Sequence, residues 1–302
     1  MKLIALIIAL VLERTVTRLL SLREPRGLDG YFDRGFRFMG QRQGAAALLL
    51  VVLIIVLPVL PVLFLAVAFS HVLLGLLALA FAAVVLVFSF GPRDLIRDVD
   101  EYLDAVAEGD HEASRRLAKA LAEADLAGSE GRRVLAVEEA VLAQANNRMF
   151  GVIFWFMLLG PSGAWLFRVA DLMRRRAVFE TVRLRAEGQA DPAYLHAVQS
   201  VYGALAWMPA RLLALSYAMA GSFEDAMSDW RGYYDTCSDK FFHVNDEILA
   251  CAGRGAIGGS GDAGSDQTAD TAPVQAAVRL ILRTLLIWMT AISLMTVFGL
   301  AI

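Results

Sequence analysis

The sequence predicts an all-α, polytopic membrane protein with broken or re-entrant helices and a helical cytoplasmic layer. Residues 45–69 contain no charged or hydrogen-bonding side chain, and a second apolar run continues to Phe90. Since a helix rises about 1.5 Å per residue, roughly 20 apolar residues cross a hydrocarbon core of about 30 Å. The two runs are therefore long enough for two crossings, and the uncharged run at 285–302 supplies another.

The composition limits what the rest of the chain can be. Hydrophobic residues make up 58% of the 302 residues, but charged residues make up 20%, so only part of the chain can lie in lipid. A net charge of -3, and the lack of a basic patch interleaved with aromatic residues, argue against a nucleic-acid partner. The predicted partner is the lipid bilayer.

Hydropathy and charge divide the chain into seven segments. They are a short N-terminal membrane helix with a basic cytoplasmic segment (1–44), a transmembrane hairpin (45–90), cytoplasmic amphipathic helices (91–148), broken membrane helices (149–221), a soluble amphipathic helix (222–252), a flexible linker (253–274) and a C-terminal transmembrane helix (275–302). The spans themselves are predicted at 45–69, 71–90 and 280–302.

The N-terminal segments set the predicted orientation. Residues 1–12 are apolar but short, and no small-residue cleavage site follows, so this helix is expected to stay attached. Residues 13–44 carry seven arginines against four acids, which predicts a cytoplasmic location by the positive-inside rule. The hairpin then goes out and returns, with a kink at Pro58 and Pro61 and a turn at 70–71.

The later membrane segments are interrupted. The apolar run 149–170 is broken at 160–163, and a re-entrant pair of half-helices is favoured because it keeps the arginines at 174–176 inside. The run 201–220 contains Pro209 and Arg211, which predicts a second broken helix. Ser222 and Asp225 are spaced as a capping box that begins the following soluble helix.

Polar side chains near membrane depth form the candidate ligand site. Intramembrane ionisable groups mark functional sites by default, because their desolvation is costly. An anionic small molecule or lipid would suit their charge, whereas structural ion pairs and snorkelling anchors explain them equally well. The candidate residues are Arg93, Asn146, Asn147, Arg148, Arg168, Trp207 and Arg211.

The other motifs of the sequence predict no catalytic, nucleotide-binding or metal site. Gly253, Gly255 and Gly258 spell GxGxxG, but no strand precedes them and no helix follows, as dinucleotide binding requires. Cys237 and Cys251 lack the spacing of a metal site, and the four histidines are scattered. No catalytic residue, metal or cofactor is predicted.

Two stretches resemble a known family. The phrases QANNRMFGVIFWFMLLGPSGAWLFRVADLMRR (144–175) and LAWMPARLLALSYAMAGSFEDAMSDWR (205–231) resemble the AmpE family of bacterial inner-membrane proteins, a relative of the CobD/CbiB cobalamin-biosynthesis family. The resemblance covers nearly the whole chain. Its most specific parts are FGVIFWF, GPSGA with Arg168, and the block from Trp207 to Leu212.

The resemblance implies a multi-pass inner-membrane protein that modulates β-lactamase induction and the cell-wall stress response beside a cytoplasmic amidase. The cobalamin enzymes instead couple an amino alcohol to an acid side chain of the corrin ring. Their matching stretch reads like ENTSDG, whereas this chain has Asn146 and Asn147 and lacks the acid. Non-enzymatic signalling is therefore expected, with a cobalamin-type enzyme as the first alternative and a muropeptide transporter as the second. A homo-oligomer is compatible with all three.

Overall fold

The computed structural model of the chain describes residues 2–16, 26–70, 75–90, 95–123, 130–236, 245–258 and 271–298, and these contain α-helices and no strand. The all-α prediction is confirmed for them. The helices are α1 (Lys2–Val16), α2 (Arg26–Met39), α3 (Gly44–Val56), α4 (Val59–Ser70), α5 (Leu76–Phe90), α6 (Leu95–Ala107), α7 (His111–Ala122), α8 (Glu130–Ala145), α9 (Gly151–Leu159), α10 (Pro161–Ala186), α11 (Leu195–Ala220), α12 (Phe223–Thr236), α13 (Asn245–Ile257) and α14 (Ala272–Val297). A π-helical turn, Asn146–Phe150, lies between α8 and α9.

The predicted membrane spans are present as apolar helices. Two stretches are long and apolar enough to cross a bilayer, one beginning with α5 and the other α14. A third is present if α3 and α4, which are bent by 43° at a short break, form one span. Pro58 lies at this break, as the sequence predicts. The predicted turn at His71 and the predicted end of the span at 91–92 lie outside the described residues.

The described helices form two compact units. Unit 1 contains α1 to α5, α9, α10 and the first part of α11, up to Trp207. Unit 2 contains α6 to α8, the π-helical turn, the second part of α11 and α12 to α14.

In unit 1, α10 is the central helix. The helices α2, α3, α4, α5 and α9 all pack against α10, and α1 packs against α5. The indole Nε1–H of Trp165 in α10 donates to the carbonyl of Pro58 at 3.2 Å. The outer sides of α3 and α4 stay apolar and exposed, as in Leu49 at 71% and Phe64 at 73%. Such a continuous apolar surface is typical of contact with lipid.

In unit 2, small residues allow close helix packing. A Cβ atom on Gly255 would lie 2.7 Å from the Cα of Ala226, and one on Gly253 would lie 2.7 Å from the Leu142 side chain. The first two glycines of the GxGxxG pattern therefore bring α13 against α8 and α12. The hydroxyl of fully buried Tyr217 donates to the Leu142 carbonyl at 2.9 Å.

The helices after Ser222 differ from the predicted segments in number and in one bound. The soluble segment 222–252 contains two helices, α12 and α13, and α13 continues to Ile257, inside the predicted linker. Apolar packing of its glycine-containing end explains the longer helix. The predicted capping box is not formed: the Ser222 hydroxyl donates to the Asp225 carboxylate at 2.6 Å, and the Ser222 N–H donates to the Ala256 carbonyl at 2.8 Å. The linker residues 259–270 lie outside the described part.

The predicted break at 160–163 is present. Gly160, with a φ of +67°, separates α9 from α10. With nine residues, α9 is too short to cross a bilayer at about 1.5 Å per residue. The location of this half-helix relative to the membrane stays a prediction.

The predicted break at 201–220 is wrong, because α11 runs continuously through Pro209. A proline has no N–H to donate to the carbonyl four residues earlier, which here belongs to Leu205. The indole Nε1–H of Trp155 in α9 donates to that carbonyl at 3.1 Å. A side chain thus supplies the hydrogen bond that the proline cannot make, and the helix does not need to open.

The same arrangement occurs at the kink between α3 and α4. Pro58 has no N–H for the carbonyl of Ile54. The hydroxyl of Tyr31 in α2 donates to this carbonyl at 2.8 Å. Since lipid offers no water to backbone groups, such donors stabilise proline-containing helices in a membrane.

Candidate functional site

The seven candidate residues are divided between the units. Asn146, Asn147, Arg148 and Arg211 lie in unit 2, whereas Arg168 and Trp207 lie in unit 1. Arg93 lies outside the described residues. A single pocket made by all seven stays a prediction, and the two groups are described separately.

The π-helical turn holds two buried amides. Asn146 is 0% exposed and Asn147 is 2% exposed, and the Asn146 Nδ2 lies 3.4 Å from the Asn147 Oδ1. No group among the described residues donates a hydrogen bond to the Asn146 Oδ1. A π-helical turn inside an α-helix is frequent at functional sites. This turn therefore presents a buried acceptor that suits an N–H or O–H donor.

The arginine in this turn is in a structural ion pair. Arg148 Nη1 lies 2.7 Å from Asp98 Oδ2, and its Nε donates to Gln144 Oε1 at 3.2 Å. Gln144 Nε2 is 3.4 Å from the carbonyl of Leu121. These contacts connect α6, α7 and α8, so Arg148 stabilises unit 2 whether or not a ligand binds.

Two turns earlier, α8 carries a buried acid that the sequence analysis did not single out. Glu138 is 3% exposed. Burial raises the pKa of Glu138, while Arg254 lowers it and Glu139 raises it. Its charged form therefore opposes folding.

We expect Glu138→Gln to raise the melting temperature by about 2 °C at pH 8. The pKa of Glu138 is higher in the folded than in the unfolded chain, so the penalty is absent below the unfolded pKa and grows as pH rises. The gain should therefore vanish near pH 4. The adjacent Glu139→Gln is the control, because it removes the 2.6 Å ion pair with Arg254 and should not stabilise. Equal gains in both variants would contradict the prediction.

Arg211, the fourth candidate residue in unit 2, lies against the start of α13. The Arg211 Nη1 donates to the Oδ1 of Asn245, which is 5% exposed. Arg211 is half-buried, as is Trp207 in unit 1.

In unit 1, Arg168 belongs to a buried charge cluster. Asp171 is 0% exposed and accepts hydrogen bonds from three arginines of the same helix. The distances are 3.2 Å from Arg168 Nη1, 2.9 Å from Arg174 Nη2 and 2.9 Å from Arg175 Nε. The guanidinium of Arg174 also lies 4.9 Å from the ring centre of Tyr202.

The sequence analysis missed Asp171 as a member of this cluster. The sequence spacing could have shown this, because Arg168, Arg174 and Arg175 lie three or four residues from Asp171, and such positions are neighbours on a helix. The described residues contain no group of three or more His, Cys, Asp or Glu side chains that could hold a metal ion. Cys251 is half-buried, and Cys237 lies outside the described part.

An apolar, all-α arrangement with spanning helices and buried polar groups defines the class as a helical membrane protein. The model of the family described as CobD/Cbib protein matches residues 6–257. The chain therefore belongs to the CobD/Cbib family.

Two curated relatives have the same name, cobalamin biosynthesis protein CobD. The one from Chromobacterium violaceum is 28% identical over 193 residues, which are 61% of this chain and 56% of the relative. The one from Stutzerimonas stutzeri is 28% identical over 123 residues, 41% of this chain and 37% of the relative. The chain thus spans about half the length of these relatives or less. No solved structure matches the chain.

These comparisons support the predicted family relationship and a bacterial membrane protein. Neither relative carries the AmpE name, so that finer assignment stays a prediction, as do the inner membrane and the number of crossings.

Proposed function

We propose that the chain acts at a membrane in cobalamin biosynthesis and forms an amide between an amino alcohol and a carboxyl side chain of a corrin ring. The family match supports this, because residues 6–257 include most of both units. The names of the two relatives point the same way. Since the matched part is about half of those relatives, the reaction and its substrates are proposals.

The buried amides of the π-helical turn are the observation that supports placing the amine-binding site at this turn. The carbonyl oxygen of Asn146 is a buried acceptor without a donor among the described residues, and an amine N–H would satisfy it. An unsatisfied buried acceptor is costly, so a bound amine would gain from this contact. The turn would hold and orient the amine of the amino alcohol.

The two asparagines can bind the amine but cannot act as its general base. An asparagine amide does not titrate near neutral pH, so it can bind an amine but cannot take its proton. Glu138 is the nearby buried acid of α8, but it lies eight residues earlier, about 12 Å along the helix axis at 1.5 Å per residue. Direct proton transfer between these positions is therefore excluded, and the turn contributes binding and orientation.

The test uses the full chain, purified in nanodiscs, with a corrin carboxylic acid, an amino alcohol and ATP. We expect a product heavier than the corrin acid by the amino alcohol minus one water, detected by mass spectrometry. Asn146→Ala should reduce its formation at least about fivefold, because it removes this acceptor, and one hydrogen bond to a reacting group contributes roughly 1 kcal/mol or more.

The exposed amide variant Gln189→Ala is the matched control and should retain full activity. The CobD protein of Chromobacterium violaceum serves as the positive control. Absence of product from this chain, under conditions in which the relative forms it, would overturn the proposal.

The absence of the acidic residue that the cobalamin enzymes carry at this turn favours a second function, that of a sensor. Where the cobalamin enzymes carry an acidic residue, this chain carries a buried amide that can bind but not exchange protons. The chain would then act as an AmpE-like sensor that modulates β-lactamase induction, with an anionic ligand and a cytoplasmic amidase as partners.

The two functions predict different phenotypes. For a sensor, deletion of the gene should change β-lactamase induction by a cell-wall antibiotic several-fold, and the wild-type gene should restore it. A deletion strain with unchanged induction that requires added cobalamin would instead rule out the sensor and support the enzyme.

A further inference from the structure

A basic, partly aromatic surface on α2 has no role in the proposed reaction. The α2 surface consists of Arg34, Arg37 and Phe38 of α2 and Arg42 of the turn that follows it, all exposed. Phe38 is 66% exposed, and the Arg42 guanidinium lies 5.1 Å from the centre of its ring. The opposite side of α2 is buried in unit 1.

The packing of α2 places this surface beside an apolar span. Tyr31 donates to the carbonyl of Ile54, and a Cβ on Gly35 would lie 2.8 Å from the Ile54 side chain. The chain turns between Met39 and Gly44, so α2 folds back along α3. The arginines are therefore next to the N-terminal end of α3. The exposed apolar side of α3 begins there, at Leu48.

The arginines of the α2 surface differ from Arg176 of α10. The Arg37 Nε donates to the carbonyl of Asp33, and the Arg42 Nη1 to that of Phe38. No carboxylate of the described residues forms an ion pair with either of them or with Arg34. In contrast, Arg176 is held by both oxygens of Asp33 at 2.8 Å.

There is room for a ligand headgroup at this place. An open cleft of about 860 Å³ adjoins the surface and is lined partly by Arg37, Gln41 and Gln43. The acids that also line it, such as Asp33, are already in ion pairs with arginines. A negatively charged group therefore fits the surface better than a positively charged or zwitterionic one.

We propose that the α2 surface binds the headgroup of an anionic phospholipid, with Phe38 at the boundary between headgroups and acyl chains. Basic residues beside a membrane span attract anionic lipids, arginine side chains extend to the headgroups, and an exposed phenylalanine on the same helix can insert among the acyl chains. The exposed apolar side of α3 lies next to the arginines and can contact the acyl chains of a lipid. A soluble anion has no acyl chain and would not use this apolar side.

The test measures lipid binding to the full chain after delipidation in a mild detergent, by native mass spectrometry. Wild type should bind phosphatidylglycerol more tightly than phosphatidylcholine. The variant R34Q/R37Q/R42Q should bind phosphatidylglycerol at least about tenfold more weakly, with phosphatidylcholine binding unchanged. The charge-conserving variant R34K/R37K/R42K should retain most of the preference.

The matched control is R115Q/R116Q/K119Q on the exposed side of α7, which removes the same three charges. It should leave binding of phosphatidylglycerol within twofold of wild type. Equal weakening by both triple glutamine variants would show a general charge effect and overturn the proposal, as would full competition by glycerol phosphate. Unchanged melting temperatures exclude misfolding, and the single variant R37Q should show a smaller loss.

Discussion

Replacement of Asp171 by alanine is expected to destabilise the protein by about 3–5 kcal/mol, because breaking a buried ion pair leaves uncompensated charge. Asp171 is fully buried and accepts hydrogen bonds from Arg168, Arg174 and Arg175. Without its carboxylate, the three guanidinium groups would lose the buried acceptor that they share. Asp171→Asn should be intermediate, since its amide keeps one acceptor oxygen but carries no negative charge.

Unfolding in a mild detergent, followed by circular dichroism, measures this effect. The matched control is Asp191→Ala, because Asp191 also binds an arginine through both oxygens, at 2.6 Å, but on the surface. Exposed ion pairs contribute little, so the control should unfold like wild type. Similar stability of the two alanine variants would show that the buried cluster contributes no more to stability than an exposed ion pair.

The fold class could be predicted because apolar length is a local property of the sequence. The runs before Phe90 and after 285 predict spanning helices without any knowledge of their neighbours. The kink at Pro58 was also predictable, since a proline removes a backbone donor. The continuous helix through Pro209 was not, because its missing donor is replaced by Trp155, a residue distant in sequence.

The candidate site was only partly predictable. Buried amides at Asn146 and Asn147 follow from their position at the start of an apolar run. The sequence could not show that Arg148 is paired with Asp98, fifty residues away. Several residues that carry the family resemblance, such as Phe150 and Phe156, are fully buried packing residues. Such residues define a fold more than a ligand, which explains why the superfamily was predicted more securely than the function.

The pair of Trp155 and Pro209 allows a direct test of how α11 stays intact. Trp155→Phe keeps most of the ring but removes the N–H that the Leu205 carbonyl accepts at 3.1 Å. We expect a loss of about 1–3 kcal/mol in the free energy of unfolding, the cost of an unsatisfied acceptor.

The same substitution should cost less than half as much in a Pro209→Ala background, because an alanine at this position would supply a backbone N–H to the Leu205 carbonyl. The coupling is measured by unfolding the four proteins of this double-mutant cycle. Trp288→Phe is the control, since the Trp288 indole donates to the Ser216 hydroxyl at 2.9 Å and should cost the same in both backgrounds. If Trp155→Phe costs the same with and without Pro209, the indole does not replace the proline's missing hydrogen bond, and the continuity of α11 has another cause.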